Sequence, residues 1–575
     1  MKYIRIIFSF LATGMILSAC GEDFLQRTPL DQVTSLDYFK SPNDLKAYVN
    51  QYYSQTYFPK YANYGSDGGT DNQVSMNVDT RLEGTRTIST SGSIAFGPVR
   101  SINYFFDQYK KINANYALKD YQQYLGEAHF FRALIYINLL KTYGDIQWLT
   151  TELGTSSPEL YSPRDPRNIV ADNIISALDS AALYLTADKT DGAARVNKWM
   201  ALLIQSRVAL YEGTWEKYHA NDPFGVSNPQ PDKYFNKAVE AATLIMESGK
   251  YDLYSTGKPL QDYKDLFSMM DYSTNKEVMF WREYDNELIR GNASFTNDRN
   301  FRMEFPSGFT ITKELADAYL CSDGKPITNN PLFMGSASLS TEMQNRDPRF
   351  SQTIVTPGEV WRINTNGTIN YWSELYAQLN TKADYNAPSG YINMKGYNPR
   401  MIYHVTQYEE TPSIIYRYAE VLLNFAEAKA ELGTLTQGDI DISIKKLRDR
   451  VGMPNLILSS ISTDPKWDFP DLSATINEIR RERRIELSCE GFRWDDIARW
   501  AAADELIIGK RPKGFKASQV TVNPFPVDEN GFLDPFRIAV PAGYAFKVGR
   551  DYLNSIPVTE ITLNSNLTQN PGWDQ

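Results

Sequence analysis

A mostly α-helical fold built from stacked helix pairs follows from three observations on the sequence. Apolar residues recur at i, i+3 and i+4 in segment after segment, as in Leu125, Ala128, Phe131, Ile135 and Leu139. Glycines follow several of these runs, at Gly144, Gly213, Gly249 and Gly433, where a left-handed residue ends a helix readily. Alanines such as Ala419, Ala426 and Ala430 fall on the faces where two helices must approach closely.

Taken in order, the first helix starts at Ser41-Pro42-Asn43-Asp44, with Ser41 as cap, and ends near Tyr57. Two helices follow, at about 99–114 and 119–143. A second pair covers about 167–186 and 195–213, and a further helix covers about 231–248. Helices return after Pro412, at about 413–432, 437–451, 473–489 and 491–503. Between these blocks lie two stretches without helical periodicity. One is a polar, glycine-rich loop over 58–97 that holds several aromatics, and loops of such length in a compact domain are usually functional or disordered. The other, 250–411, reads as a large loop-rich insertion with short helices and strands, such as the run Glu277 to Trp281. The organisation expected is therefore a signal peptide over 1–19, a lipidated tether over 20–34, and an N-terminal helical scaffold over 35–249. A variable ligand-binding insertion over 250–411 and C-terminal helical pairs with a tail over 412–575 complete it.

The N-terminus points to a membrane anchor. Lys2 and Arg5 precede an apolar run, Ile6 to Leu17, of signal-peptide length and too short to span a bilayer comfortably. Small residues Ser18 and Ala19 then sit directly before Cys20. A peptidase needs small side chains beside its scissile bond, and the Cys20 thiol is the nucleophile that takes a diacylglyceryl group. Two acyl chains make a stable anchor where one is marginal. No later segment reaches 18 uninterrupted apolar residues.

Composition narrows the function. The net charge of −10 over 575 residues argues against nucleic acid, which needs clustered Lys and Arg. Three cysteines exclude a disulfide framework, and Cys489 reads as a small buried hydrophobe in a helical run. His129, His219 and His404 are far apart and no zinc motif accompanies them, so no metal is expected; His129 reads as a partly buried, neutral side chain. No nucleophile elbow, phosphate loop or dinucleotide fingerprint occurs, and no cofactor is expected.

Aromatic residues make up 13% of the chain, and outside the helical blocks they cluster beside polar groups. Sugars offer C–H patches that stack on aromatic faces and hydroxyls that need Asp, Asn, Gln or Arg. Tyr61, Tyr64, Asp67, Asp71 and Asn72 form one such group in the early loop. Trp281, Arg282, Tyr284, Trp361, Arg362, Tyr371 and Trp372 form another in the insertion. These residues are the expected ligand contacts. The charged run from Arg480 to Asp496 reads differently. Glu482, Glu486 and Glu490 beside arginines match a helix laced with i,i+4 ion pairs, not a catalytic acid–base pair.

The helix pairs resemble tetratricopeptide repeats. The wider order of segments resembles the SusD/RagB-like outer-membrane lipoproteins of polysaccharide-utilisation systems. Five stretches carry this: the lipobox with Glu22 and Asp23 after Cys20; Gly126 to Ala133, running on to Tyr143-Gly144-Asp145; Tyr416 to Ala428; Ile479 to Trp500; and Tyr552 to Val558 with Gln569 to Trp573. The resemblance implies four tetratricopeptide-like pairs, a variable ligand region and a TonB-dependent SusC-like barrel as partner. It implies a non-enzymatic surface lipoprotein of the outer membrane that captures oligosaccharides for that transporter. A helical scaffold that recruits other proteins, or the same uptake role with a peptide or host glycan, are the alternatives.

Overall fold

The computed structural model describes residues 39–54, 56–58, 66–112, 115–188, 195–285, 299–304, 308–373, 379–404 and 409–574. Cys20, with the signal segment and tether, lies outside the described residues, as do Tyr61 and Tyr64.

The architecture is mainly helical. Helix α1 spans Pro42–Val49 and is closed by the expected Ser41–Asp44 capping box. Helices α2 (Gly97–Gln108) and α3 (Gln122–Tyr143) pack as neighbours, and α3 stops at Gly144. Gly144 has φ +72°, and a Cβ there would lie 2.8 Å from Leu553 of the C-terminal tail, so conformation and packing both select glycine. Helices α4 (Arg167–Tyr184), α5 (Lys198–Tyr218) and α6 (Pro231–Glu247) continue the stack, each against the one before. Asn197 caps α5 by accepting the backbone N–H groups of Trp199 and Met200.

Gly213 does not end α5 as its position in the sequence predicts. The helix runs on to Tyr218, because Gly213 is the point where α6 crosses closely: a Cβ would fall 2.7 Å from the Phe235 ring. A G213A variant gains up to about 1 kcal/mol of helix propensity. It loses about 1–3 kcal/mol to overpacking. A net destabilisation of about 1 kcal/mol is expected, read as a lower melting temperature.

After the insertion the chain rejoins the stack. Helix α7 (Tyr418–Glu431) packs on both α5 and α6, so the pair pattern closes across the insertion. The sequence places the start of this helix at Ser413, but residues Ser413–Arg417 are a strand, β6. It pairs antiparallel with β2 (Val278–Arg282), the strand expected around Glu277 to Trp281. Helices α8 (Gln437–Ile442) and α9 (Ile444–Arg450) break at Ser443. Helices α10 (Ala474–Glu486), capped by Ser473, and α11 (Arg493–Arg499) follow, and the short helices Ala503–Leu506 and Val558–Leu563 come after them. The main hydrophobic core runs along this stack from Leu45 to Ile556.

The insertion has a core of its own, centred on Ile311, Phe350, Trp361, Trp372 and Tyr391, which meets the scaffold at Ile485 and Cys489. Its strands are short: β3 (Thr310–Ile311) pairs with β1 (Gln73–Val74), and β4 (Val360–Ile363) with β5 (Ile369–Tyr371). The β1–β3 pair ties the early loop to the insertion. Cys489 is buried and free, as expected, but stands beyond the end of α10 in a left-handed conformation with φ +62°. His129 is half-buried between Phe106 and Tyr184, and burial followed by the Arg132 charge lowers its pKa to about 3. Among the described residues no helix is long and apolar enough to cross a membrane.

Candidate functional site

A cavity of about 480 Å³ opens between α3, α5, β6 and the turn before α11. Helix α3 contributes Leu134, Ile137, Asn138 and Lys141; α5 contributes Ile204, Arg207 and Tyr211; β6 contributes Ile415 and Tyr416. Gly491, Phe492 and Asp495 close the far side. Tyr57 and Ser66, which flank the stretch holding Tyr61 and Tyr64 in sequence, also line it.

The wall combines aromatic faces with fixed charges. The Arg207 guanidinium lies 5.4 Å from the Tyr416 ring and 5.2 Å from Phe492. Its Nε and Nη2 each donate to the Glu420 carboxylate at 2.6 Å. Burial alone would lower the Arg207 pKa, but the Glu420 charge outweighs burial and raises it. Lys141 pairs with Asp495 at 2.5 Å near the opening. Glu490 accepts from Arg417 and Lys395, and these cations overcome the effect of burial and lower its pKa. Every carboxylate lining the cavity is thus held by a cation. A glycosidase acid needs the opposite, a carboxyl group kept protonated by its surroundings.

The sequence-predicted contacts divide. Asp67, Asp71 and Asn72 are all buried and engaged by protein partners. Asp67 accepts the backbone N–H groups of Cys489 (2.7 Å) and Gly491 (2.9 Å) and the Asn72 side-chain amide. Asp71 takes Arg493 through both oxygens at 2.7 Å and Arg484 at 2.8 Å. Asn72 accepts from the Arg484 Nε. Their polarity holds the early loop onto α10 and the α10–α11 turn.

Trp361 and Trp372 are corrected in the same way. They are 5% and 1% exposed, with ring centroids 6.0 Å apart, and form the insertion core. Trp361 donates its indole N–H to the Glu304 carbonyl. Tyr371 precedes Trp372 and is 42% exposed, because successive residues of an extended chain face opposite ways. Tyr284 is buried and Arg362 pairs with Glu304.

Trp281 and Arg282 stand on β2, and the alternation separates them. Half-buried Trp281 lines a second cavity of about 300 Å³ with Asn197, Tyr251 and Asn275. Arg282 donates from Nη1 to the Phe58 carbonyl at 2.8 Å. That bond ties the insertion strand to Phe58, the residue after Tyr57 of the main cavity.

Sequence reasoning missed Lys141, Arg207, Tyr416 and Phe492, which it assigned to the scaffold. One signal was present. Arg207 is the only charged residue between Trp199 and Leu210, on a run otherwise fit for complete burial. A lone cation there needs either a buried partner or an opening, and it has both.

Helix pairs stacked around a cavity, with an insertion set beside it, define a mostly helical scaffold. The chain belongs to the SusD family, whose model matches residues 266–573. It is similar to SusD-like protein P2 of Formosa agariphila, 23% identical over 98% of this chain and 99% of that one. Among solved structures it resembles a SusD-like protein from Bacteroides fragilis, with TM-score 0.69 and 22% identity over 95% of this chain and 100% of the other. A SusD-like carbohydrate binding protein, also from Bacteroides fragilis, gives TM-score 0.68 and 20% identity over 92% and 99%.

Proposed function

We propose that this protein captures oligosaccharides at the outer face of the outer membrane, anchored by acyl chains on Cys20, and passes them uncleaved to a TonB-dependent SusC-like transporter. The observation that carries this reading is the cavity itself: Tyr57 and Phe492 offer ring faces, and Asn138 and Lys141 offer donors. Aromatic faces with a few placed polar groups are what a sugar requires. A structural relative described as carbohydrate binding supports the ligand class. Tyr61, Tyr64 and Trp281 are the further platforms assigned to the glycan, Trp281 from the second cavity. The acyl anchor lets the helical scaffold swing as a lid on the transporter while remaining at the surface.

Binding to a glycan panel tests the reading. Tyr57→Ala and Phe492→Ala are each expected to weaken binding about 5- to 30-fold, the loss of 1–2 kcal/mol for truncating a contact residue. The parent protein should release no reducing ends. Parent-like affinity in both variants, or turnover abolished by Glu420→Gln, would overturn the assignment. Protection of the protein from protease on intact cells would remove the capture role.

A further inference from the structure

A smaller chamber of about 280 Å³ adjoins the main cavity and shares Asn138, Lys141, Tyr211 and Asp495 with it as a common wall. Arg81, Thr142, Trp494, Tyr552 and Asn554 complete the lining. The Arg81 guanidinium lies 4.1 Å from the Trp494 ring centroid and donates no hydrogen bond among the described residues; its Nε is shut off from solvent without an acceptor.

The surroundings sharpen the contrast. Arg86 donates to Asp551 and Asn554, Arg550 to Asp551 and the Gly84 carbonyl, and Arg207 to Glu420. The nearest acid in sequence, Asp79, accepts the backbone N–H groups of Arg81 and Leu82 and leaves the guanidinium unmet. Asp495 is the acid in the chamber lining beside Arg81 and Lys141, and Lys141 already holds it. Burial, and then the Arg86 charge, lower the Arg81 pKa against the pull of Asp79, Asp551 and Asp495, none of which accepts a hydrogen bond from the guanidinium.

The Nη groups of Arg81 are not closed off in this way, and a charged hydrogen bond to them is worth about 1.5–3 kcal/mol. The guanidinium fork matches a carboxylate or a sulfate through two parallel N–H bonds, and stacking on an indole keeps the fork in place. We infer that this chamber is an acid-recognising subsite: an anionic sugar substituent, a carboxylate or a sulfate ester, docks on Arg81 over Trp494 while the glycan continues into the main cavity. The inference rests on the capture reading above and adds the ligand's charge to it. Asn138 and Asn554 stand at the same wall to meet the hydroxyls beside the charged group.

Calorimetric titration of the full chain decides it, with uronate oligosaccharides, sulfated galactan oligosaccharides and the carboxyl-reduced or desulfated counterpart of each. One charged series is expected to bind at least tenfold more tightly than its neutral counterpart, and more weakly as salt rises. Loss of binding on carboxyl reduction identifies the uronate; loss on desulfation identifies the sulfate. R81M keeps bulk over Trp494 without the charge and should lose about 10- to 100-fold for the charged ligand only, the worth of a charged hydrogen bond. R81K, which keeps charge without the fork, should fall between, and it carries the test if R81M fails to fold. Equal binding of a charged ligand and its neutral counterpart, or parent-like affinity in R81M, overturns the subsite and leaves the capture reading standing. Absence of binding to every glycan, charged or neutral, overturns both.

Discussion

Replacing Glu486 by alanine is expected to destabilise the protein by about 3–5 kcal/mol, the cost of breaking a buried ion pair from one side. Glu486 is fully buried at the end of α10. Its Oε1 accepts from Arg417 (2.7 Å) and Arg450 (2.6 Å), and its Oε2 from Arg349 (3.0 Å) and Arg450 (2.7 Å). Those arginines come from β6, from α9 and from the insertion, so one carboxylate joins the scaffold to the inserted part. Glu277, Asp347, Glu482 and Glu490 complete the counter-charge. Without Glu486, three buried guanidinium groups share the remaining acids. A lower melting temperature and easier proteolysis at the insertion are the readouts; a parent-like melting curve would contradict this account.

The same cluster sets a pH dependence. Burial alone would raise the Glu486 pKa, but Arg450, Arg417 and Arg349 outweigh it and hold the group well below the usual carboxylate range. At Glu427, on α7, burial is likewise overcome, chiefly by Arg499 and Arg483, which bring it to about 2. A depressed carboxylate contributes stability that is fully present above its unfolded pKa and lost as pH falls through the folded one. Stability should therefore hold from neutral pH down to about 5, then decline as unfolded carboxylates protonate near 4. In Glu486→Gln the decline should be shallower, from a lower starting point.

This network marks the limit of what the sequence made legible. Helix positions were readable because their period is local, and Leu125 to Leu139 or Ala419 to Ala430 needed no distant partner. The charged character of α10 was readable as structural for the same reason. The partners were not. The expected i,i+4 pairs are replaced by bonds from Glu486 to Arg450 and Arg349, which stand 36 and 137 positions away. Strand β6 was hidden because Ser413–Arg417 continues in sequence into a strong helix, and only its pairing with β2 distinguishes it. The site suffered most. An indole at a surface groove and an indole in a small core look alike in sequence, so Trp372 and Trp281 were read together although one is buried and the other lines a cavity. Arg207 was passed over because its segment otherwise reads as structural, and Arg81 because no aromatic stands near it in the sequence of the early loop.

Asp71 separates the two readings of the early loop by experiment. If it contacted ligand, Asp71→Ala would lower affinity and leave the melting temperature unchanged. Its geometry predicts the reverse. Burial favours the neutral form, but Arg484 and then Arg493 overcome that and hold the Asp71 pKa at about 2. Against an unfolded value near 3.9, such a depression corresponds to roughly 2 to 3 kcal/mol of stability at neutral pH. Alanine also strands Arg484 and Arg493, each almost completely buried, with Asp468 and the Asn72 side-chain oxygen left to Arg484. The total loss expected is about 3–5 kcal/mol. It should show as a lower melting temperature and as freer amide exchange over 66–74, where β1 is held against β3. Glycan affinity, measured below the new melting temperature, should change less than in Phe492→Ala. Asp71→Asn should recover part of the loss, since an amide oxygen still accepts one guanidinium bond but carries no charge to offset the second arginine. A variant that melts like the parent yet no longer binds glycan would return Asp71 to the ligand site and reopen the groove over the early loop.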